Sequence, residues 1–265
     1  MTGQQALVYL ALKYRGDWDK MIRGIRNHEA FETSKAEEML AEVHCSYVTL
    51  IDKDYPLAFK NCYRPPLVLF YYGDLSLIQE ETRCVSYVGS REASAYGLDC
   101  AKSIAGALAK EGFTVVTGLA KGIDSAATAA ALAAGGKAVG VMGNGIDMCY
   151  PDESVPLYLE LKKKGLVLSE YPGMTPPDKD YFPQRNRIVA GVSKGIIVGE
   201  ASKHSGTLIT VGYALGYTKE IGCIPYPAGS DSACNALIKD GAWLIEGVDD
   251  VNEMMGYQPS KKDNG

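Results

Sequence analysis

The segment YFPQRNRIVAG, residues 181–191, places two arginines close together between apolar flanks. No acid lies between Asp180 and Glu200, so nothing near in sequence balances Arg185 and Arg187. Surface helices usually dilute their arginines with carboxylates, so this cluster indicates an anionic ligand. A solvated or salt-bridged arginine pair is the alternative interpretation.

Four other stretches carry glycines, hydroxyls or cations that suit an anion. They are GSREAS (89–94), GLAKGID (118–124), GNGID (143–147) and EASKHSGT (200–207). Glycine lets backbone N–H groups approach an anion closely, and a helix N-terminus adds partial positive charge. Arginine can bind phosphate bidentately and lysine can act as a point charge. Helix caps and tight turns are the structural alternative for these residues.

From residue 84 onward, predicted strands alternate regularly with predicted helices, and these elements must position the loops. The apolar runs are CVSYVG (84–89), TVVTG (114–118), AVGVMG (138–143), LVLSEY (166–171), GIIVGEA (195–201), EIGCIP (220–225) and AWLIEG (242–247). Helical segments separate them, including an alanine-rich one over 124–136 with Asp124 as its expected N-cap. Buried strands that alternate with helices indicate a doubly wound α/β fold, a mostly parallel Rossmann-like sheet with helices on both faces.

In such sheets, ligands bind beyond the carboxyl ends of the strands, so the loops should meet along one edge. Arg185 and Arg187 would extend the cationic site there, with Asn186 as a neutral donor and acceptor. Tyr181 and Phe182 can stack on bases, although core packing is favoured for Phe182. The predicted phosphate-binding residues are Gly89, Ser90, Arg91, Ser94, Gly118, Lys121, Gly122, Arg185, Asn186, Arg187, Ser205, Gly206 and Thr207.

The first third of the chain does not show this alternation of strands and helices. Residues 1–45 are predicted to form a small helical N-terminal domain, and 46–83 a connector whose strand, VLFYYG, lies at the edge of the sheet. The Rossmann-like domain is expected over 84–255, followed by a flexible tail over 256–265.

Composition limits the classes of function. The net charge of −5 argues against a wholly basic nucleic-acid coat, although not against a local basic groove. The sequence has no apolar run of about 18 residues and no signal-peptide pattern at its N-terminus, so a cytoplasmic protein is expected. Seven scattered cysteines and three histidines argue against a disulfide framework or a metal site. No metal or nucleotide cofactor is expected.

Taken in order, the motifs over residues 48–250 resemble the DNA-processing protein A (DprA/Smf) family. They are IDKDYPLAFKNCYRPPLVLFYYGD, VGSREASAYG, TGLAKGIDSAATAAAL, GNGIDMCYP, GLVLSEYP, FPQRNRIVAG, VGEASKHSGTLIT and NALIKDGA. The resemblance implies a non-enzymatic protein that binds single-stranded DNA, protects it and loads the RecA recombinase on it during natural transformation. It also implies a homodimer, and a DNA pocket that uses Arg91 and Lys121.

The sequence departs from the family pattern at several positions. Thr128 stands where the family usually has histidine, Tyr226 and Ala233 where it has glycine, and Thr218-Lys219 where it has Gly-Arg. Apart from Thr128, these changes lie in the second half of the domain. They bear on the dimer contact and the recombinase partnership more than on the DNA pocket. We also expect the chain to lack the C-terminal winged-helix extension that many members carry.

Enzymatic interpretations have weaker support. GVSKG (191–195) has the letters of a nucleophile elbow, but it precedes its strand instead of following it. The better rival is a nucleotide-binding phosphoribohydrolase of the related lysine-decarboxylase-like family, whose signature PGGxGTxxE contains an essential glutamate. Thr210 stands at that place here, and a hydroxyl cannot act as a carboxylate base. Glu170 and Glu200 are the remaining candidates for a catalytic carboxylate.

Overall fold

The computed structural model describes residues 1–30, 32–79 and 83–258. Within these ranges, ten α-helices pack around one nine-stranded sheet. The strands are β1 Ser46–Thr49, β2 Val68–Gly73, β3 Cys84–Gly89, β4 Thr114–Thr117, β5 Lys137–Val141, β6 Leu166–Ser169, β7 Gly195–Glu200, β8 Glu220–Cys223 and β9 Trp243–Leu244. The helices are α1 Gly3–Tyr14, α2 Trp18–Arg26, α3 Thr33–Ala41, α4 Ala95–Lys110, α5 Ile123–Ala133, α6 Val155–Lys164, α7 Tyr181–Val192, α8 Thr207–Gly216, α9 Ala233–Lys239 and α10 Val248–Met254.

The order of the strands creates a crevice next to β3. The sheet runs β1-β2-β6-β5-β4-β3-β7-β8-β9, and every pair from β6 to β9 is parallel. The chain therefore moves outward from β3 to β6 and returns to place β7 on the other side of β3. Ligands bind at such a reversal, beyond the carboxyl ends of the strands. A bulge after Val88 sets Gly89 opposite Glu200, at the mouth of this crevice.

Both faces of the sheet are covered, as the continuous apolar strands predict. Val115 and Val116 of β4 belong to two different buried clusters, because successive side chains of a strand point to opposite faces. Helices α4, α5, α6 and α10 contribute to one cluster, and α7, α8 and α9 to the other. The doubly wound fold and the helical N-terminal segment are thereby confirmed.

Two expectations about the connector and the helix caps were wrong. The strand VLFYYG lies inside the sheet, because β2 pairs with β6 on one side and with β1 on the other. The true edge strand β1 is half exposed and partly polar, so it has no apolar signature. Gly122, with a φ of 82°, is the N-cap of α5, and Asp124 lies in the first turn.

The N-terminal helices dock on the sheet domain through the turn after α1. A side chain at Gly16 would lie 2.6 Å from the carbonyl oxygen of Glu170, so this turn packs closely against the segment that follows β6. The Trp18 indole also donates to the Pro65 carbonyl at 2.9 Å. No helix of the described ranges is long and apolar enough to cross a membrane. Residues 259–265 of the expected tail lie outside the described residues.

Candidate nucleic-acid interface

A cleft of about 590 Å³ opens at the carboxyl ends of β3, β4 and β7, where the strand order reverses. The loops after these strands and the first turns of α7 and α8 form its walls. Nine of the thirteen predicted residues line it, namely Gly89, Ser90, Arg91, Gly118, Arg185, Asn186, Ser205, Gly206 and Thr207. Most of the predicted residues therefore gather in one cleft at the strand-order reversal, although the surroundings of several differ from those expected.

Arg91 is the exposed cation of the first loop. Its guanidinium carbon lies 5.2 Å from the centroid of the Phe182 ring, a cation–π arrangement that leaves the N–H groups available. Phe182 is itself held in place, because its ring packs where a side chain at Gly143 would stand, 2.7 Å away. Arginine above an aromatic ring offers both a phosphate contact and a stacking surface.

The N-terminus of α8 supplies the donors on the opposite wall. Ser205, Gly206 and Thr207 line the cleft, and Gly206 is exposed. The Ser205 hydroxyl accepts from the Thr207 N–H at 3.1 Å and donates to the Thr207 hydroxyl at 3.0 Å. The serine therefore orders the turn before α8, whose N-cap is Gly206, and the partial positive charge of the helix end faces the cleft.

Arg185 forms the floor of the cleft and is almost fully buried. One guanidinium nitrogen donates to the carbonyls of Gly118, at 2.5 Å, and Val141, and Nε donates to Asn186 at 3.1 Å. Burial lowers the pKa of Arg185 to about 10, which leaves it protonated at neutral pH. Its charge therefore contributes to the cleft, while part of its hydrogen-bonding capacity ties the β4 and β5 loops together.

Asp124 lies beneath the same loop and partly balances Arg185. Its carboxylate accepts the N–H of Gly118 at 2.9 Å, which fixes the backbone of the GLAKG motif. Burial raises the pKa of Asp124 to about 6, and the nearby Arg185 charge opposes that rise. The acid is thus a structural ligand of the loop.

Arg187 does not reach the cleft, contrary to the expectation for the arginine pair. It is 3% exposed and forms an ion pair with Glu170 at 2.6 Å. The segment is helical, and residues two apart on a helix point to nearly opposite sides. Arg185 therefore faces the cleft while Arg187 faces the protein interior. Burial lowers the pKa of Arg187 there, but the charge and hydrogen bond of Glu170 outweigh burial, so that this pKa is raised.

Three more predicted residues lie outside the lining. Ser94 is the N-cap of α4, where its hydroxyl accepts the Gly97 N–H at 3.1 Å. Gly122 joins two loops, because a side chain there would lie 2.3 Å from the Ser90 carbonyl oxygen. Lys121 is exposed in the turn before α5, beside the cleft lining residue Ala120.

Two lining residues were missed or misjudged from the sequence. Lys179 lines the cleft, but Asp178 and Asp180 on either side balance its charge in the sequence, so the sequence gives no sign of an unbalanced cation there. Phe182 is half-buried on the cleft wall, although core packing was favoured for it. Tyr181, considered for base stacking, instead stacks on Tyr171 with centroids 4.0 Å apart. Successive residues of α7 point in different directions, so the ring of Phe182 faces the cleft and the ring of Tyr181 faces Tyr171.

The charges that line the cleft include three cations and two acids, so the lining suits an anionic ligand. Its cations are Arg91, Lys179 and Arg185, and its lining acids are Glu92 and Asp124. Thr210, at the place of the phosphoribohydrolase glutamate, is buried on the lining and has no carboxylate to offer.

Comparison with known proteins agrees with the geometry. The sequence model of the family described as DNA recombination-mediator protein A matches residues 46–256. The chain belongs to this family. This confirms the resemblance that the ordered motifs indicated, and it covers the strands and loops that build the cleft.

Individual members show how far the similarity extends. Protein Smf of Synechocystis sp. is 36% identical over 217 residues, which are 80% of this chain and 54% of that protein. The chain thus spans about half the length of that relative. The X-ray structure of DprA from Streptococcus pneumoniae has a TM-score of 0.77 at 31% identity, covering 96% of this chain and 94% of that one. A DprA structure from Helicobacter pylori, concerned with its single-stranded DNA binding mode, has a TM-score of 0.72 at 29% identity and covers 81% and 99%.

Proposed function

We propose that this protein is a non-enzymatic recombination mediator that binds single-stranded DNA in the cleft. In this role it protects incoming DNA and loads a RecA-type recombinase on it during natural transformation, in the cytoplasm. The observation that carries the proposal is the pairing of Arg91 with Phe182 at the strand-order reversal, opposite the N-terminus of α8. Membership of the family and the Helicobacter pylori relative support the choice of ligand.

The physical reason for single-stranded DNA is the mixture of groups in the cleft. Proteins that bind single strands combine cations that follow the backbone with aromatic rings on which bases stack. Here Arg91 and Lys179 supply exposed cations, and Phe182 supplies the ring. Tyr150 adds an exposed ring next to it, with centroids 5.9 Å apart. Contacts of this kind are mostly to phosphate, so binding should be only weakly selective for sequence.

Lys121 completes the proposed contacts. It lies beyond the cleft lining but in the loop that forms one wall, so a strand longer than the cleft would reach it. We leave Arg187 and Ser94 out of the contact set, because the first is engaged with Glu170 and the second with the end of α4.

Competition with a fluorescent oligo-dT tests the choice of ligand. We expect an unlabelled single strand to displace the probe at much lower concentration than a duplex of the same sequence or dTMP. If dTMP competes as well as the oligonucleotide, the cleft is a mononucleotide site and the phosphoribohydrolase alternative gains. The position of Thr210 offers that alternative no support at present.

The partners are part of the proposal. Family resemblance suggests a homodimer, and α8 has a face suited to a second copy. On this face Leu215 is 60% exposed, and Ile209, which also lines the cleft, is 43% exposed. No atom of the described residues outside the helix backbone lies within 4 Å of a side chain built at Gly212 or Gly216. The start of α8 lines the cleft of its own copy, so a dimer formed through α8 would bring the clefts of the two copies near the shared interface. Loading of the recombinase would then act on a strand held at two points.

A further inference from the structure

The loop over residues 89–94, which carries Arg91, is fixed to the sheet at its first end by backbone contacts. The Ser90 N–H donates to the Glu200 carbonyl at 2.8 Å, and the Ile123 N–H donates to the Ser90 carbonyl at 3.1 Å. These bonds set where the loop leaves β3. They do not fix the part of the loop that follows Arg91.

The side chain of Glu200 fixes the other end. The Ser94 N–H lies 3.1 and 3.0 Å from the two carboxylate oxygens, and the Ser94 hydroxyl donates to one of them at 2.7 Å. Ser94 is the N-cap of α4, so this carboxylate lies at a helix N-terminus, where negative charge is favourable. The loop of Arg91 is therefore held between the main chain and the side chain of the same residue.

Gly97 and Tyr226 are the other residues packed against the Glu200 carboxylate. A side chain at Gly97 would lie 2.1 Å from Glu200 Oε2 and 2.8 Å from the Tyr226 hydroxyl, so only glycine leaves room for both groups. The Tyr226 hydroxyl lies 2.9 Å from both Glu200 Oε2 and the Gly199 carbonyl oxygen, which share its one donated proton. Its ring packs edge-on against Tyr96 with centroids 5.1 Å apart. Burial, and then the Glu200 charge, raise the pKa of Tyr226, so the phenol remains a donor.

A carboxylate at this place is unfavourable for DNA binding on charge alone. Glu200 lines a second pocket directly behind the loop, and that pocket shares Ser90 and Glu92 with the cleft. A negative charge near a phosphate site repels the strand. We propose that Glu200, assisted by Tyr226, is a positioning residue that holds the loop so that Arg91 meets a DNA phosphate; this inference rests on the proposed function.

The substitution Glu200→Gln separates positioning from charge, because the two effects have opposite signs. Loss of the negative charge alone would tighten binding of oligo-dT, whereas loss of positioning weakens it. We expect Glu200→Gln to weaken binding about tenfold, and Tyr226→Phe, which removes only the hydroxyl, about threefold. Asp99→Asn removes an exposed carboxylate of α4, the helix that Ser94 caps, and should leave binding unchanged or slightly tighter.

A double-mutant cycle with Arg91→Ala shows whether Glu200 acts through the arginine. In the Arg91→Ala background, Glu200→Gln should change affinity by less than about twofold, whereas independent effects would add. Additivity, or tighter binding by Glu200→Gln, overturns the inference. If Glu200→Gln does not fold, the same cycle with Tyr226→Phe decides. If neither the wild type nor Arg91→Ala binds oligo-dT, the proposed function itself has failed, which is a distinct result.

Discussion

The guanidinium of Arg185 lies in the space that a side chain at Gly118 would take. A β-carbon at Gly118 would be 2.7 Å from the Arg185 guanidinium carbon. The absence of that carbon lets one arginine bind the carbonyls of Gly118 and Val141, at the ends of two neighbouring strands. The floor of the cleft is thus a buried cation that the backbone surrounds, prepared before any ligand arrives.

Gly118→Ala should disturb this floor. We expect a loss of about 1 to 3 kcal/mol in the free energy of unfolding, because the new methyl displaces a buried guanidinium. Binding of oligo-dT should weaken as well. Gly106→Ala in α4 is the matched control, since its β-carbon would lie 3.9 Å from the Ala130 carbonyl oxygen, its nearest neighbour outside the helix backbone in the described part of the chain. That variant should gain up to about 1 kcal/mol and bind normally. Equal behaviour of the two variants in denaturant titrations would contradict the account.

Arg187→Met should destabilise the protein without changing its DNA site. Removal of one partner of a buried ion pair leaves Glu170 uncompensated, at a cost of about 3 to 5 kcal/mol. Oligo-dT affinity of the folded variant, measured well below its melting temperature, should stay within about twofold of wild type. Lys164→Met breaks an exposed pair with Glu160 and should cost at most about 1 kcal/mol. A large affinity loss with unchanged stability would instead make Arg187 a DNA contact.

Asp124 should make a recognisable contribution to the pH dependence of stability. Burial raises its pKa from 3.8 to about 6, so the folded state holds this proton more tightly than the unfolded chain does. The contribution is complete below pH 4 and is lost as the pH rises through 6. The stability difference between wild type and Asp124→Asn should therefore fall by roughly 2 kcal/mol between pH 4 and pH 7. A constant or rising difference in urea titrations would show that the carboxyl is not perturbed in this way.

Leu215→Arg tests the proposed contact between two copies. A charge on the exposed face of α8 would be desolvated in a dimer and should abolish it, because an unpaired buried charge is costly. Light scattering should then report the mass of a monomer, with little change in melting temperature. Leu159→Arg, at an equally exposed apolar position on α6, should leave the mass unchanged. A wild type that is already monomeric at working concentration would contradict the dimer.

The sheet could be predicted because its signals are local. Continuous apolar runs such as CVSYVG coincide with β3, and the loops after them necessarily meet at one edge. The roles of single residues depended on helix phase and on contacts distant in sequence. Arg185 and Arg187 look like a pair in the sequence, but α7 turns them to opposite sides. Lys179 was hidden by its acidic neighbours. Glu200 could not be connected to Ser94, 106 residues away, without the bulge that sets it opposite Gly89.

The central claim is that Arg91 contacts the phosphate backbone of single-stranded DNA. The most direct test is the affinity for fluorescent oligo-dT across a salt series, for wild type, Arg91→Ala and Lys163→Ala. Lys163 is an exposed cation at the end of α6, on the edge of the sheet opposite the cleft. We expect Arg91→Ala to weaken binding and to make the slope of log affinity against log salt shallower by about 0.7, the value of one released phosphate contact. Lys163→Ala should match wild type. Equal slopes and affinities for wild type and Arg91→Ala would contradict the assignment of the cleft.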